Sequence, residues 1–342
     1  MVEQALRLQG AVHPATLHEL RALAADFSAQ PDIARRQRLA LAHMRAEAAL
    51  LGSVTTEAQA LHSQTLLMAH QALYAQLAPA DRLSEQGTAI EPGALRTQDV
   101  AVGRHQPPAH SAVGAFLAHA DARYSKPWGL DALLMVTACV HHRLAWVHPF
   151  LDGNGRACRL QTQLALNGLT AGLWSVNRGL ARQRDAYYLH LSEADMARQG
   201  DLDGRGNLSE RMLLAWCEFF IDTCRDQVSF MAQMLDLPAL KDRMGALIAI
   251  RAHQSGATGY RPEAILPMQH VLALGPVTRG EFLQMTGQGE RTGRKVLAQL
   301  LADGLLLSDS PKGAVRCGLP LDALSVLLRN LYPEAATTLL DE

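Results

Sequence analysis

Two apolar segments, "DALLMVTACVHHRLAWV" (131–147) and "RACRLQTQLALNGL" (156–169), are separated by the short stretch "HPFLDGN" and a second glycine at 155. Apolar residues in both flanks recur at helical spacing, so the chain must turn sharply between two core helices. Gly153 and Gly155 permit positive φ and a close approach of another group to the backbone. The chain is thereby committed to a helical core with an open helix N-terminus at its centre.

That turn is also dense in chemistry. Successive N–H groups of Gly153, Asn154 and Gly155 at a helix start form an anion-binding nest. Arg156 and Arg159, three apart on the first turn, can each grip phosphate oxygens bidentately, so the pattern specifies a polyphosphate. Asp152 would repel phosphates unless a cation lay between them, which argues for Mg²⁺. His148 is the one group of the stretch that titrates near neutral pH, and a base beside a bound nucleotide implies attack by an external hydroxyl. No GxxxxGK[ST] occurs and the nest follows a helix, so this is not a P-loop. Singly, each part has a plainer meaning, a tight turn or a structural histidine; the order and spacing make the signal.

Net charge bears on how the whole chain meets polyanions. Lys and Arg number 32 against 33 Asp and Glu, which gives no strong nonspecific attraction to nucleic acid or an anionic membrane. The N-terminus lacks a basic start followed by an apolar stretch, and no apolar run nears about 20 residues, so we expect a soluble cytoplasmic protein with no membrane partner. Five cysteines without a CxxC pair fit reduced core thiols better than a disulfide framework or a structural zinc site.

A length of 342 residues suggests two or three units. Three helices are expected over 16–80, the second starting at Pro31 and Asp32. Gly and Pro bracket "ALRTQDVAVG", which reads as a hairpin or extended flap over 94–108. Further helices are expected at 109–122, 130–146, 156 to about Gly168, 180–198 and 208–236. "GDLDGRGNLSER" invites a calcium loop through Asp201, Asp203, Gly206 and Asn207, but Arg205 and Met212 stand where ligands are required; a turn with Asn207 and Glu210 capping the next helix is preferred. Near the C-terminus, a helix capped by Thr278 with Glu281, a turn, a second helix at 289–302 and two short strands around "DSPKG" have the order of a winged helix-turn-helix. Arg291, Arg294 and Lys295 share a face of that second helix, where a reading helix would contact DNA; a solvated face serving protein or intramolecular contacts remains the alternative. The expected division is 1–90 N-terminal helices, 91–238 core, 239–262 connector and 263–342 winged helix-like unit.

"HPFLDGNGR" followed by Arg159 resembles the Fic family motif HxFx[DE]GNGRxxR at every fixed position. "EPGALRTQDVAVG" followed by "PP" resembles the segment leading into the family's target-binding flap, and "RQRDAYYLHL" the stretch that supports the base. The resemblance covers about 40–238 and implies a mainly α fold, a Fic-type helical bundle with a small β-hairpin flap, with the winged helix appended. It implies transfer of AMP from ATP to a Ser, Thr or Tyr hydroxyl of a target protein docked on 94–108, or of the protein itself. By position His148 resembles the base, Asp152 the Mg²⁺ ligand, Gly153, Asn154 and Gly155 the α- and β-phosphate cradle, and Arg156 and Arg159 the phosphate arginines. Gly155 stands where phosphate-transferring relatives of the Doc type carry lysine, which favours nucleotidyl transfer. Tyr187 and Tyr188 either wall the base pocket or belong to the core. UTP, GTP or CTP as donor, a DNA-binding regulator with a nucleotide-sensing or self-modifying site, and a homodimer stay open. The family's inhibitory helix, [ST]xxxE[GN], has no strict match; a degenerate version is expected at 46–60, with Ser53 and Glu57 nearest and Ala58 breaking the pattern, so the restraint is weakened or Glu57 supplies it from a shifted position.

Overall fold

The computed structural model describes residues 29–84, 87–103, 105–254 and 260–329. Tertiary contacts divide the described residues into two units, one ending at Val228 and the other beginning at Ser229.

The first unit is helical: α1 Pro31–Leu51, α2 Glu57–Ala60, α3 Ser63–Ala75, α4 Val113–Tyr124, α5 Leu130–Val147, α6 Asn154–Thr170, α7 Val176–Arg182, α8 Arg184–Glu193, and most of α9 Glu210–Met234. Pro31 opens α1 at its first position, as its fixed φ favours. α6 is the centre, packed against α1, α2, α3, α5 and α7. Its buried face includes polar residues: Gln161 Nε2 donates to the carbonyls of Ala60 (2.9 Å) and His62 (3.0 Å), and Ser175 Oγ donates to Gln163 Oε1 at 2.7 Å, while Gln163 Nε2 is buried without a partner. α6 starts at Asn154 and ends at Thr170, beyond the expected Gly168, with Ala171 and Gly172 at positive φ making the exit turn.

α5 is, among the described residues, the one helix long and apolar enough to cross a membrane, but half of it is buried against α4 and α6 and the rest of the core. The residues of α1 and α3 share one apolar core with α5 and α6, through Ala42, Leu66, Leu73, Leu144 and Leu160. The expected boundary at 90/91 therefore separates nothing that packs separately.

The loop before α9 corrects the expected cap. Asp203 accepts from the Arg211 backbone N–H (2.9 Å), the Ser209 hydroxyl (2.7 Å) and the Gln199 N–H (3.0 Å), and Ser209 Oγ accepts from Met212 N–H. These donors push the Asp203 carboxyl down to about 2, the Arg211 N–H contributing most. Asn207 only offers its carbonyl to Arg198, and Glu210 lies in the first turn of α9. Capping fell to Asp203 because the loop folds back on itself, a contact that spacing does not reveal.

The second unit contains α10 Leu237–Gln254, α11 Ile265–Leu274, α12 Arg279–Met285, α13 Glu290–Ala302, an antiparallel ribbon of β1 Leu306–Leu307 and β2 Arg316–Cys317, and α14 Leu321–Leu327. Thr278 and Glu281 form the capping box of α12. Leu240, Met244, Leu247 and Ile248 of α10 lie in the same core as Phe282, Val296 and Leu300, so the α10 part of the expected helical connector belongs to this unit's core.

Candidate active site

α5 ends because His148 adopts a left-handed conformation, φ 51°, while its N–H still closes on the Leu144 carbonyl at 3.1 Å. The chain then turns through Pro149–Gly153 into α6. Asn154 braces this turn: Phe150 N–H donates to its Oδ1 and its Nδ2 donates to the Phe150 carbonyl, both at 2.8 Å. The Asn154 side chain is thus spent on the loop, and what it can offer a ligand is its backbone N–H. With Gly153 as cap, the N–H groups of Asn154, Gly155 and Arg156 have no intrahelical acceptor.

The two glycines are constrained to different degrees, Gly153 by backbone and ring, Gly155 only by the tip of a flexible arginine. Gly153 has φ +80°, and a Cβ there would stand 2.5 Å from the Tyr74 ring; one at Gly155 would meet Arg159 Nη1 at 3.1 Å. Asp152 Oδ1 accepts from Gly153 N–H and from Arg156 Nη2 at 3.0 Å. Arg156 lies over the Tyr74 ring, 5.5 Å from its centre, and its Nη1 is buried without an acceptor.

A cavity of about 640 Å³ gathers His148, Asp152, Gly153, Asn154, Gly155, Arg156 and Arg159 with flap residues 98–103 and Tyr188. A recess of about 260 Å³ shares Arg159 and Tyr188 with it and is closed by His43, Asn177, Arg184 and Tyr187. Burial pushes His148 down to about 4, against an opposing bond to the Ala145 carbonyl. It is therefore neutral at pH 7, and with one ring N–H turned to Ala145 the other nitrogen is free to accept a proton.

An unpaired guanidinium N–H, open helix N–H groups and a glycine cradle that a Cβ would fill all fit a phosphate chain. Among the described residues no group of three or more His, Cys, Asp or Glu could hold a metal unaided. A divalent ion at Asp152 would draw its remaining ligands from phosphate oxygens and water, which is how Mg²⁺ commonly binds.

Residues 60–166 match the Fic/DOC family. This segment is a Fic domain. Proteins named protein adenylyltransferase Fic from Drosophila erecta and Aedes aegypti are 33% and 34% identical to the chain over 115 residues. Those matches span 33% of this chain and only 22% of each relative. A Fic family protein from Desulfovibrio desulfuricans is 19% identical with a TM-score of 0.45, covering 92% of this chain and 84% of its own. A Fic domain containing signaling protein from Bacteroides thetaiotaomicron is 15% identical with a TM-score of 0.40, covering 66% and 81%.

Beyond the matched segment the two tyrosines of α8 separate. Tyr187 is core: its hydroxyl bonds His141 Nε2 at 3.0 Å, and burial pushes it up to about 12. Thr162 gives its own proton to the Cys158 carbonyl (2.8 Å), so its oxygen accepts from His141 Nδ1 (2.7 Å) and His141 Nε2 accepts from Tyr187. Tyr188 is half exposed and lines both the cavity and the recess. Ser53 and Glu57 do not reach Arg159. Ser53 Oγ donates to the Leu50 carbonyl, Glu57 sits in the first turn of α2 where a carboxylate suits the helix dipole, and neither lines the cavity. In the second unit Arg291, Arg294 and Lys295 are exposed on α13, Arg294 being paired with Glu290.

The flap is extended, closed by one bridged pair in which Val102 and His105 exchange backbone bonds at 3.0 Å. Its anchors escaped the sequence reading. Arg96, whose side chain is fully buried, donates to the carbonyls of His148 (2.8 Å), Gln98 (3.1 Å) and Pro108. His70 donates through Nε2 to the Asp152 carbonyl (3.1 Å) and accepts Gly93 N–H at Nδ1 (2.9 Å), stacked on Phe150 at 3.9 Å. Neither residue carries a local signal beyond the Gly93 turn, because each acts on backbone far away in sequence.

Proposed function

We propose that the Fic domain transfers AMP from ATP to a hydroxyl of a protein, with His148 as general base. The observation that supports this most is one cavity holding His148, Asp152, the glycine nest and both phosphate arginines. In this reading the target oxygen attacks the α-phosphorus, the bond to the bridging oxygen breaks, pyrophosphate leaves, and His148 takes the hydroxyl proton. Arg156, Arg159 and the N–H groups at the start of α6 hold the leaving phosphates and the charge that develops on them. Mg²⁺ at Asp152 would offset phosphate charge. Tyr188 walls the base, and the extended flap presents the target segment through backbone pairing along its edge.

The test is incubation with ATP labelled at the α- or the γ-phosphate, with candidate proteins and with the chain itself as acceptor. Label from the α-phosphate becomes covalent and label from the γ-phosphate does not. His148→Ala lowers transfer by about 10² to 10⁴ while nucleotide binding persists. Retention of full transfer in that variant refutes the base assignment.

A second reading concerns α13, whose exposed Arg291 and Lys295 follow a helix-turn-helix order and precede a two-stranded ribbon. In that reading the unit binds duplex DNA in a salt-dependent manner, and charge reversal at Arg291 and Lys295 abolishes it.

A further inference from the structure

Away from the cavity, the core of the first unit holds two thiols that no step above uses. Cys139 of α5 and Cys217 of α9 bring their Sγ atoms to 3.7 Å. The thiols are free, as the sequence suggests, and their sulfurs stand 3.7 Å apart against about 2.05 Å in a disulfide. Cys217 is buried while Cys139 is only half-buried, so a solvent-borne reagent meets Cys139 first.

The surroundings divide the roles further. Either sulfur can donate in this contact, but the bond to Cys217 lowers the pKa of Cys139, and the positive fields of Arg205 and Arg143 favour the same thiolate. That bond and burial together hold the Cys217 thiol high. A more acidic, accessible sulfur beside a protonated, sheltered one is the arrangement of an attacking and a resolving thiol.

We propose that Cys139 and Cys217 are a redox-responsive pair that a hydroperoxide closes into a disulfide. Cys139 Sγ attacks one peroxide oxygen, the O–O bond breaks, and with hydrogen peroxide a water leaves as Cys139 becomes a sulfenic acid. Cys217 Sγ then attacks Cys139 Sγ; the S–S bond forms, the S–O bond breaks, and a second water carries away the thiol proton. Two thiols lose two electrons and one peroxide becomes two waters. The sulfurs close from 3.7 Å to about 2.05 Å and join α5 to α9 covalently. Close by on α5, His142 Nε2 donates to Asp195 at 2.9 Å, and His105 of the flap faces the other oxygen of Asp195 at 3.5 Å. The pair thus adjoins the clasp that ties the flap to α5. The proposal stands independently of the adenylyl-transfer reading.

The experiment treats the reduced full chain with hydrogen peroxide, unfolds it in urea with N-ethylmaleimide so that every free thiol is blocked, and maps peptides by mass spectrometry without reductant. One linked pair containing Cys139 and Cys217 is expected, released by dithiothreitol, with Cys158, Cys224 and Cys317 carrying maleimide. In Cys217→Ser, dimedone should label Cys139 during peroxide treatment, as it should not in the wild type. Maleimide on both Cys139 and Cys217 after peroxide overturns the proposal, as does a link between two chains in place of one within a chain. The wild-type map decides the question even where the variant fails to fold.

Discussion

The turn at 149–155 and the flap at 94–108 line the same cavity but are held by opposite means. In the turn the restraints are local: Asn154 clasps Phe150, four residues back, and Asp152 accepts from its neighbour Gly153. In the flap they are remote: Arg96 reaches Pro108 and His148, and His70 joins Gly93 to Asp152 across 82 residues of sequence. A restraint that closes over a few residues leaves a motif; one that closes over many leaves single, unremarkable residues. The first end of the site can be read from spacing, and the second must be found in the folded molecule.

Gly153→Val should break the local side hardest. It forces positive φ on a β-branched residue and drives a Cβ into the Tyr74 ring, at a cost on the order of 3 kcal/mol or more, measured by urea unfolding. Asn154→Ala should follow at about 2 kcal/mol, since it leaves the buried Phe150 backbone groups unpaired. ATP affinity should fall with stability in both. A variant that loses neither shows that the turn does not depend on its own short bonds.

Arg96→Met tests the remote side. We expect about 1–2 kcal/mol, from carbonyls left without their donor, together with a larger loss of transfer to protein than of ATP affinity. Equal losses would show that the flap does not act separately from the nucleotide end.

Acid should weaken both regions through His70, which bridges them. Burial lowers His70 and His148 from 6.5 to about 4. Between those values the unfolded chain binds protons that the folded chain refuses, so stability is complete above about 6.5 and declines as pH falls toward 4. Urea midpoints measured from pH 7 to pH 4 should drop, and His70→Gln should flatten the slope. Arg294→Ala, which removes only an exposed pair with Glu290, should stay within about 0.5 kcal/mol and calibrates the scale.

Much of the architecture was legible. Helical periodicity located α5, α6 and α9, Pro31 marked the start of α1, and Thr278 with Glu281 marked α12. The cap of α9 was not, because Asp203 reaches forward eight residues out of an irregular loop. Nor was the separation of the tyrosines: neighbours on one helix look alike until packing buries Tyr187 against His141 and leaves Tyr188 facing the cavity.

By itself the sequence determined the grouping that we propose holds the nucleotide: a histidine, a carboxylate, a glycine nest and two arginines, spaced by the geometry of one turn and one helix start. Tertiary structure alone decided that Asn154 serves the loop, that Glu57 stays away from Arg159, that Arg96 and His70 hold the flap, and that two cysteines 78 residues apart meet at 3.7 Å. Helical and turn geometry act between near neighbours and leave a period or a spacing. Packing joins residues whose separation in sequence is arbitrary, and no local pattern records it.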